Sequence, residues 1–140
     1  MGSLIRRAAR QLVVCSVVSL AVAAVALAAR PGRYKGETSQ RQPVSLKIAG
    51  GSIQGFEIVV LDKCPDGHTL SVTEPYPRMP IVKGRFGGDF APPAGHPGQS
   101  AKLSGKLGRK LVTGSLQDTS YSPRERRLCH GSAKFTAKHV

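Results

Sequence analysis

The stretch over residues 52–64, S-I-Q-G-F-E-I-V-V-L-D-K-C, constrains the fold more than any other part of the chain. It is the longest apolar run outside the N-terminus and is rich in β-branched residues. In a strand, Phe56, Ile58, Val60 and Cys64 point to one face, while Val59 and Leu61 point to the other. A strand apolar on both sides is a central one, covered above and below. Its neighbours also read as strands. Val44, Leu46 and Ile48 alternate with Ser45 and Lys47 just before it, and Gly50-Gly51 turns the chain between the two. A three-residue loop over 50–52 would pair Leu46 with Phe56 and Val44 with Ile58, burying both sets on one face. A two-residue loop reaches a similar result only with a bulge at Gly55, so the three-residue loop is preferred.

The same pattern recurs along the chain. Tyr34 anchors a first strand over 32–38. Leu70 and Val72 mark another over 69–73. The segment 74–80, with Pro75, Pro77 and Pro80, reads as an extended loop. Val82, Phe86 and Phe90 share a face over 81–90. Residues 91–100 form a loop, and 101–116 a second hairpin of unfixed register turning near Gly108. Residues 117–127 read as a polar, basic loop. Ala133, Phe135 and Ala137 share parity with Cys129 in a last strand. About eight short strands without helical periodicity predict an all-β domain, an antiparallel β-sandwich, with a small calycin-like up-and-down barrel as the alternative.

The N-terminus predicts a signal helix. Arg6, Arg7 and Arg10 precede an apolar run over 12–28 that ends in the A-x-A sequence Ala26-Leu27-Ala28. Residues 1–29 are therefore expected to be a signal peptide and residues 30–140 one secreted domain, with a retained membrane anchor as the rival reading. Cys15 would leave with the leader, and the remaining Cys64 and Cys129 are expected to form a buried disulfide between the central and last strands. Of the 21 basic residues, three lie in the leader. That leaves 18 against eight acidic ones, a net of +10.

Several marks resemble small secreted β proteins of high-GC Gram-positive bacteria whose role is uncharacterised. They are G-R-Y-K-G-E-T-S-Q at 32–40, P-V-S-L-K-I at 43–48, the strand ending at Cys64, G-K-L…G-S-L at 105–116 and C-H-G-S-A-K-F-T-A-K at 129–138. The family pattern has a glycine where Arg41 stands. The resemblance implies the β fold and the disulfide, and brings no activity.

Chemistry-bearing clusters are sparse. Asp62, Cys64, Asp66 and His68 fall within seven residues, but Asp66-Gly67 is an ordinary turn dipeptide, so turn chemistry is expected there and no metal or cofactor. His68, His96, His130 and His139 lack any nucleophile context and read as solvated residues in loops or at the terminus. Asp62 with Glu74, or Glu57 with Asp89, would be the carboxylate pairs of a glycoside hydrolase, but the acidic residues are expected mostly in surface ion pairs. The chain is therefore read as a non-enzyme.

The remaining signal is basic. Lys47, Lys83, Arg85, Lys102, Lys106, Lys134 and Lys138 fall on outward parities and are the candidates for contact with an anionic envelope polymer or polysaccharide. Lysine on exposed strands also guards against edge-to-edge association. Nucleic acid is a poorer match, because only Tyr34 is interleaved with bases. Membrane contact is expected only through an uncleaved leader. Two alternatives stand beside this reading: a small exported hydrolase with its site in loops 62–68 and 91–99, and a barrel holding a small apolar ligand.

Overall fold

The computed structural model describes residues 29–92 and 95–140. The expected leader, apart from Ala29, lies outside them. Among the described residues no helix is long and apolar enough to cross a membrane.

Among the described residues nine strands form one antiparallel sheet: β1 (Gly32–Thr38), β2 (Pro43–Ala49), β3 (Ser52–Lys63), β4 (Thr69–Pro75), β5 (Met79–Pro80), β6 (Arg85–Phe90), β7 (Ser100–Leu107), β8 (Leu111–Ser122) and β9 (Arg127–His139). The strand order is β4-β3-β2-β1-β9-β8-β7-β6, with the short β5 against the start of β3. The sheet folds over into a sandwich. Phe56 of β3 meets Phe86 of β6 and Phe135 of β9, with ring centroids 6.1 and 5.5 Å apart. The outer strands β4 and β6 do not pair with each other, which excludes the closed barrel.

The core follows the parities of the sequence. Tyr34, Val44, Leu46, Ile48, Phe56, Ile58, Val60, Phe135 and Ala137 are all buried. Two glycines make room for rings. Phe86 lies directly across from Gly105, and Phe135 across from Gly114. A Cβ at either glycine would fall within 2.4 Å of the facing ring. The aromatic side chain covers the bare backbone opposite it, so the glycine is required by packing.

The β2–β3 hairpin corrects the expected register. Ala49 pairs with Ser52, so the loop is the two-residue Gly50-Gly51. Both glycines have positive φ, +55° and +69°, the primed turn whose twist matches the strands. The register then shifts between Ser45 and Lys47, where Gly55 takes φ +54° and absorbs one extra residue. Beyond that bulge Val44 does face Ile58. Arg41 holds φ +58°, a left-handed conformation that glycine adopts without steric cost.

Other boundaries also differ. The proline segment is partly structured: β4 runs on to Pro75, Tyr76 and Met79 are buried, and Met79–Pro80 pair with β3. The expected strand over 81–90 is broken. Val82 is 62 % exposed, Lys83 and Gly84 form a turn with positive φ, and the strand starts at Arg85. In the second hairpin Leu103 faces Leu116 and Leu107 faces Val112, so the connection is residues 108–110, and Leu111, exposed at the start of β8, lies outside the apolar set. The expected loop over 117–127 is mostly strand, because β8 continues to Ser122.

Candidate functional site

The Cys64–Cys129 disulfide is present and both cysteines are buried. It lies where β3 and β9 converge, next to the Lys63–His130 pair. Just before that point the two strands are spanned by Gln40, from the β1–β2 turn. Its amide donates to Leu61 O (2.9 Å) and Ser132 O (3.3 Å), and its oxygen accepts from Leu61 N (2.8 Å). Gln40 and the disulfide together fix this end of the sandwich.

Fixing that end matters because it encloses acids. Asp62 continues the inward column of β3 after Val60, and Asp118 and Ser120 continue that of β8 after Leu116. Asp62 is fully buried and Asp118 nearly so. The Asp118 carboxyl lies beside that of Asp62 and raises it, while the Ser120 hydroxyl acts against that rise. Ser120 Oγ donates to Asp118 Oδ2 (2.5 Å), but among the described residues no N–H or O–H group bonds either oxygen of Asp62 or Asp118 Oδ1 within hydrogen-bonding geometry. Two acceptors in contact bond only through a proton of their own. Burial, then the Asp118 carboxyl, push Asp62 up to about 8. Glu74 on β4 is pushed up to about 7 by burial, against the Tyr76 hydroxyl that donates to it at 2.6 Å, with Asp118 adding to the rise. The Tyr76 phenol is raised in turn by burial and by Glu74.

Glu74 and Tyr76 open onto a cavity of about 500 Å³ whose walls include Phe90, Ala101 and Thr119. Asp62 and Glu74, the pair a glycoside hydrolase would use, are thus a buried and a half-buried acid that both neighbour Asp118, and neither is in a surface ion pair. The column Leu116, Asp118, Ser120 carried the signal for Asp118, since all three share one parity.

The cluster read over 62–68 is divided by the fold. Asp62 faces inward, Cys64 is bonded to Cys129, and Asp66 and His68 stay at the turn, where Glu125 from the β8–β9 turn joins them. Of the other histidines, His130 stands on an outward position of β9 beside Thr119 Oγ1 (3.1 Å), not in a loop. His96 stacks on Tyr121, and His139 ends β9.

The seven basic candidates are all exposed. Lys83 is the exception to the strand assignment, since it lies in the turn before β6. The register places Arg33 opposite Lys47, Lys35 opposite Lys138, and Arg85 opposite Lys106. Lys134 faces Ser115, and Lys102 lies between Gln117 and Asp89. Among the described residues no lysine or arginine lies within 4 Å of a carboxylate, and the ion pairs present involve His68 alone. The expected surface ion pairs are therefore missing there: Asp62 and Asp118 are enclosed, and Asp66 and Glu125 face His68.

No protein-family model, curated protein or solved structure matches the chain.

Proposed function

We propose that this is an exported, non-catalytic β domain that contacts anionic polymers of the cell envelope or its surroundings through the outward face of its sheet. The observation that supports this reading most is the three directly opposed basic pairs without counter-ions. Like charges directly across a ladder destabilise a sheet. A polyanion laid over the strands would supply the missing counter-charge, and a rigid sheet presents its cations without the ordering cost a loop would incur. A second reading, a small ligand with an apolar body, is favoured by the Glu74–Tyr76 cavity, whose volume lies within the ordinary range of ligand sites.

The Lys35–Lys138 pair separates binding from folding. Lys138→Glu converts repulsion into attraction, so stability in urea is expected to rise by about 0.2–1 kcal/mol. The salt concentration that elutes the protein from immobilised heparin is expected to fall. The double variant Lys35→Glu/Lys138→Glu should lose more retention than Arg124→Glu/Arg126→Glu in the β8–β9 turn, although both change net charge equally. Equal losses would reduce the binding to bulk charge and remove the proposed role of the sheet face.

A further inference from the structure

The geometry points to a divalent-cation site formed by Asp66, His68 and Glu125, suited by its ligands to Zn²⁺. One carboxylate oxygen from each acid and one ring nitrogen of His68 lie within 4.8 Å of one another. The residues arrive from two turns far apart in sequence: Asp66 and His68 from the β3–β4 turn, Glu125 from the β8–β9 turn. The adjacent Cys64–Cys129 bond ties the two turns together. An imidazole nitrogen and two carboxylate oxygens are a donor set that zinc accepts at about 2.0–2.2 Å, with positions left for water.

Part of the cluster has an ordinary explanation. His68 N donates to Asp66 Oδ1 at 2.9 Å, and the His68 ring touches the same oxygen. That is the hydrogen bonding of an Asp-Gly turn. It gives no reason for Glu125. The Glu125 side chain is only 10 % exposed, and its Oε2 is buried without a hydrogen-bond partner. Its other oxygen accepts Asp66 N at 2.7 Å and stands 3.7 Å from His68 Nδ1. A buried carboxylate oxygen with no donor is costly. Among the described residues no lysine or arginine comes within 4 Å of either acid. A cation between them would satisfy both acids and the imidazole. Cys64 and Cys129 sulfurs lie within the same reach of Glu125 but are bonded to each other, so they offer no thiolate.

The test is calorimetric titration of the disulfide-intact protein with Zn²⁺ near neutral pH. One ion is expected to bind, and His68→Ala and Glu125→Gln are each expected to weaken it at least about tenfold. His139→Ala, at the end of β9, should not weaken it. Zn²⁺ should raise the melting temperature of the unaltered protein and of His139→Ala, and not that of the two site variants. If a site variant fails to fold, the unaltered protein decides alone: Zn²⁺ must shift the His68 ring resonances ahead of those of the other histidines. Absence of one-to-one binding, binding unchanged in both site variants, or shifts confined to another histidine would overturn the site.

Discussion

Replacing Asp62 by asparagine is expected to remove most of a loss of stability that the unaltered protein undergoes between pH 5 and pH 8. The sign follows from the direction of the shift. Asp62 is raised from 3.8 to about 8, so the folded state keeps a proton that the unfolded chain gives up in this window. The contribution of that proton is complete below the ordinary carboxyl range and disappears as pH rises through about 8, at about 1.4 kcal/mol per pH unit for each proton held. Glu74, raised to about 7, acts in the same direction over a narrower span. In the variant, the amide at position 62 donates to Asp118 without needing a proton, so the contact survives at high pH. Urea midpoints at pH 5, 6.5 and 8 decide the matter. They should fall steadily for the unaltered protein, and much less for Asp62→Asn, with Glu74 responsible for the remainder. Parallel slopes for the two proteins would mean that the carboxyl pair does not hold its proton.

Loss of the disulfide is expected to have a comparable effect. The bond closes a loop with a sequence separation of 65 residues. Loop-closure entropy of the unfolded chain then assigns it about 4 kcal/mol. In a domain of this size that corresponds to a fall in melting temperature of more than about 15 °C. The double variant Cys64→Ala/Cys129→Ala avoids leaving a lone buried thiol. Its midpoint, compared with that of the unaltered protein in calorimetry, measures the effect. A change under about 1 kcal/mol would show that Gln40 and the Lys63–His130 pair hold β3 to β9 without covalent help.

The legible strands are those in which apolar and polar residues alternate. Val44, Leu46 and Ile48 on β2, and Cys129, Ala133, Phe135 and Ala137 on β9, name their own inward faces, and all of them are buried. The second half of β8 was hidden because Asp118, Ser120 and Ser122 point inward, so both of its faces are polar and the hydropathy contrast vanishes. The acid site was half legible. Asp62 shares parity with Val60 and Cys64, which marks it as inward, but its meeting with Asp118 depends on two strands that are not neighbours in the sheet. Glu125 gave no local signal, since only the joining of two distant turns brings it to His68. The glycine-rich β2–β3 turn misled for a different reason: a glycine in a strand can be a loop residue or a bulge, and hydrophobic register alone does not distinguish Gly55 from a longer loop.

The strand order has a consequence for how the chain is threaded. From one edge of the sheet to the other the strands run β6, β7, β8, β9, β1, β2, β3, β4, and each lies beside the next. The fold is a plain up-and-down meander circularly permuted, with its break placed between β9 and β1. Every other ladder on this path joins strands linked by a local turn, whereas β1 and β9 must find each other across the length of the domain. Their register is set without a hairpin. Lys35 pairs with Lys138 and Thr38 with Phe135 along the ladder, Val140 N donates to Arg33 O (3.0 Å) at one end, and Ser39 N donates to Lys134 O (2.7 Å) at the other. The Tyr34 ring, edge-on to His139 at 5.3 Å, is the aromatic contact across that seam.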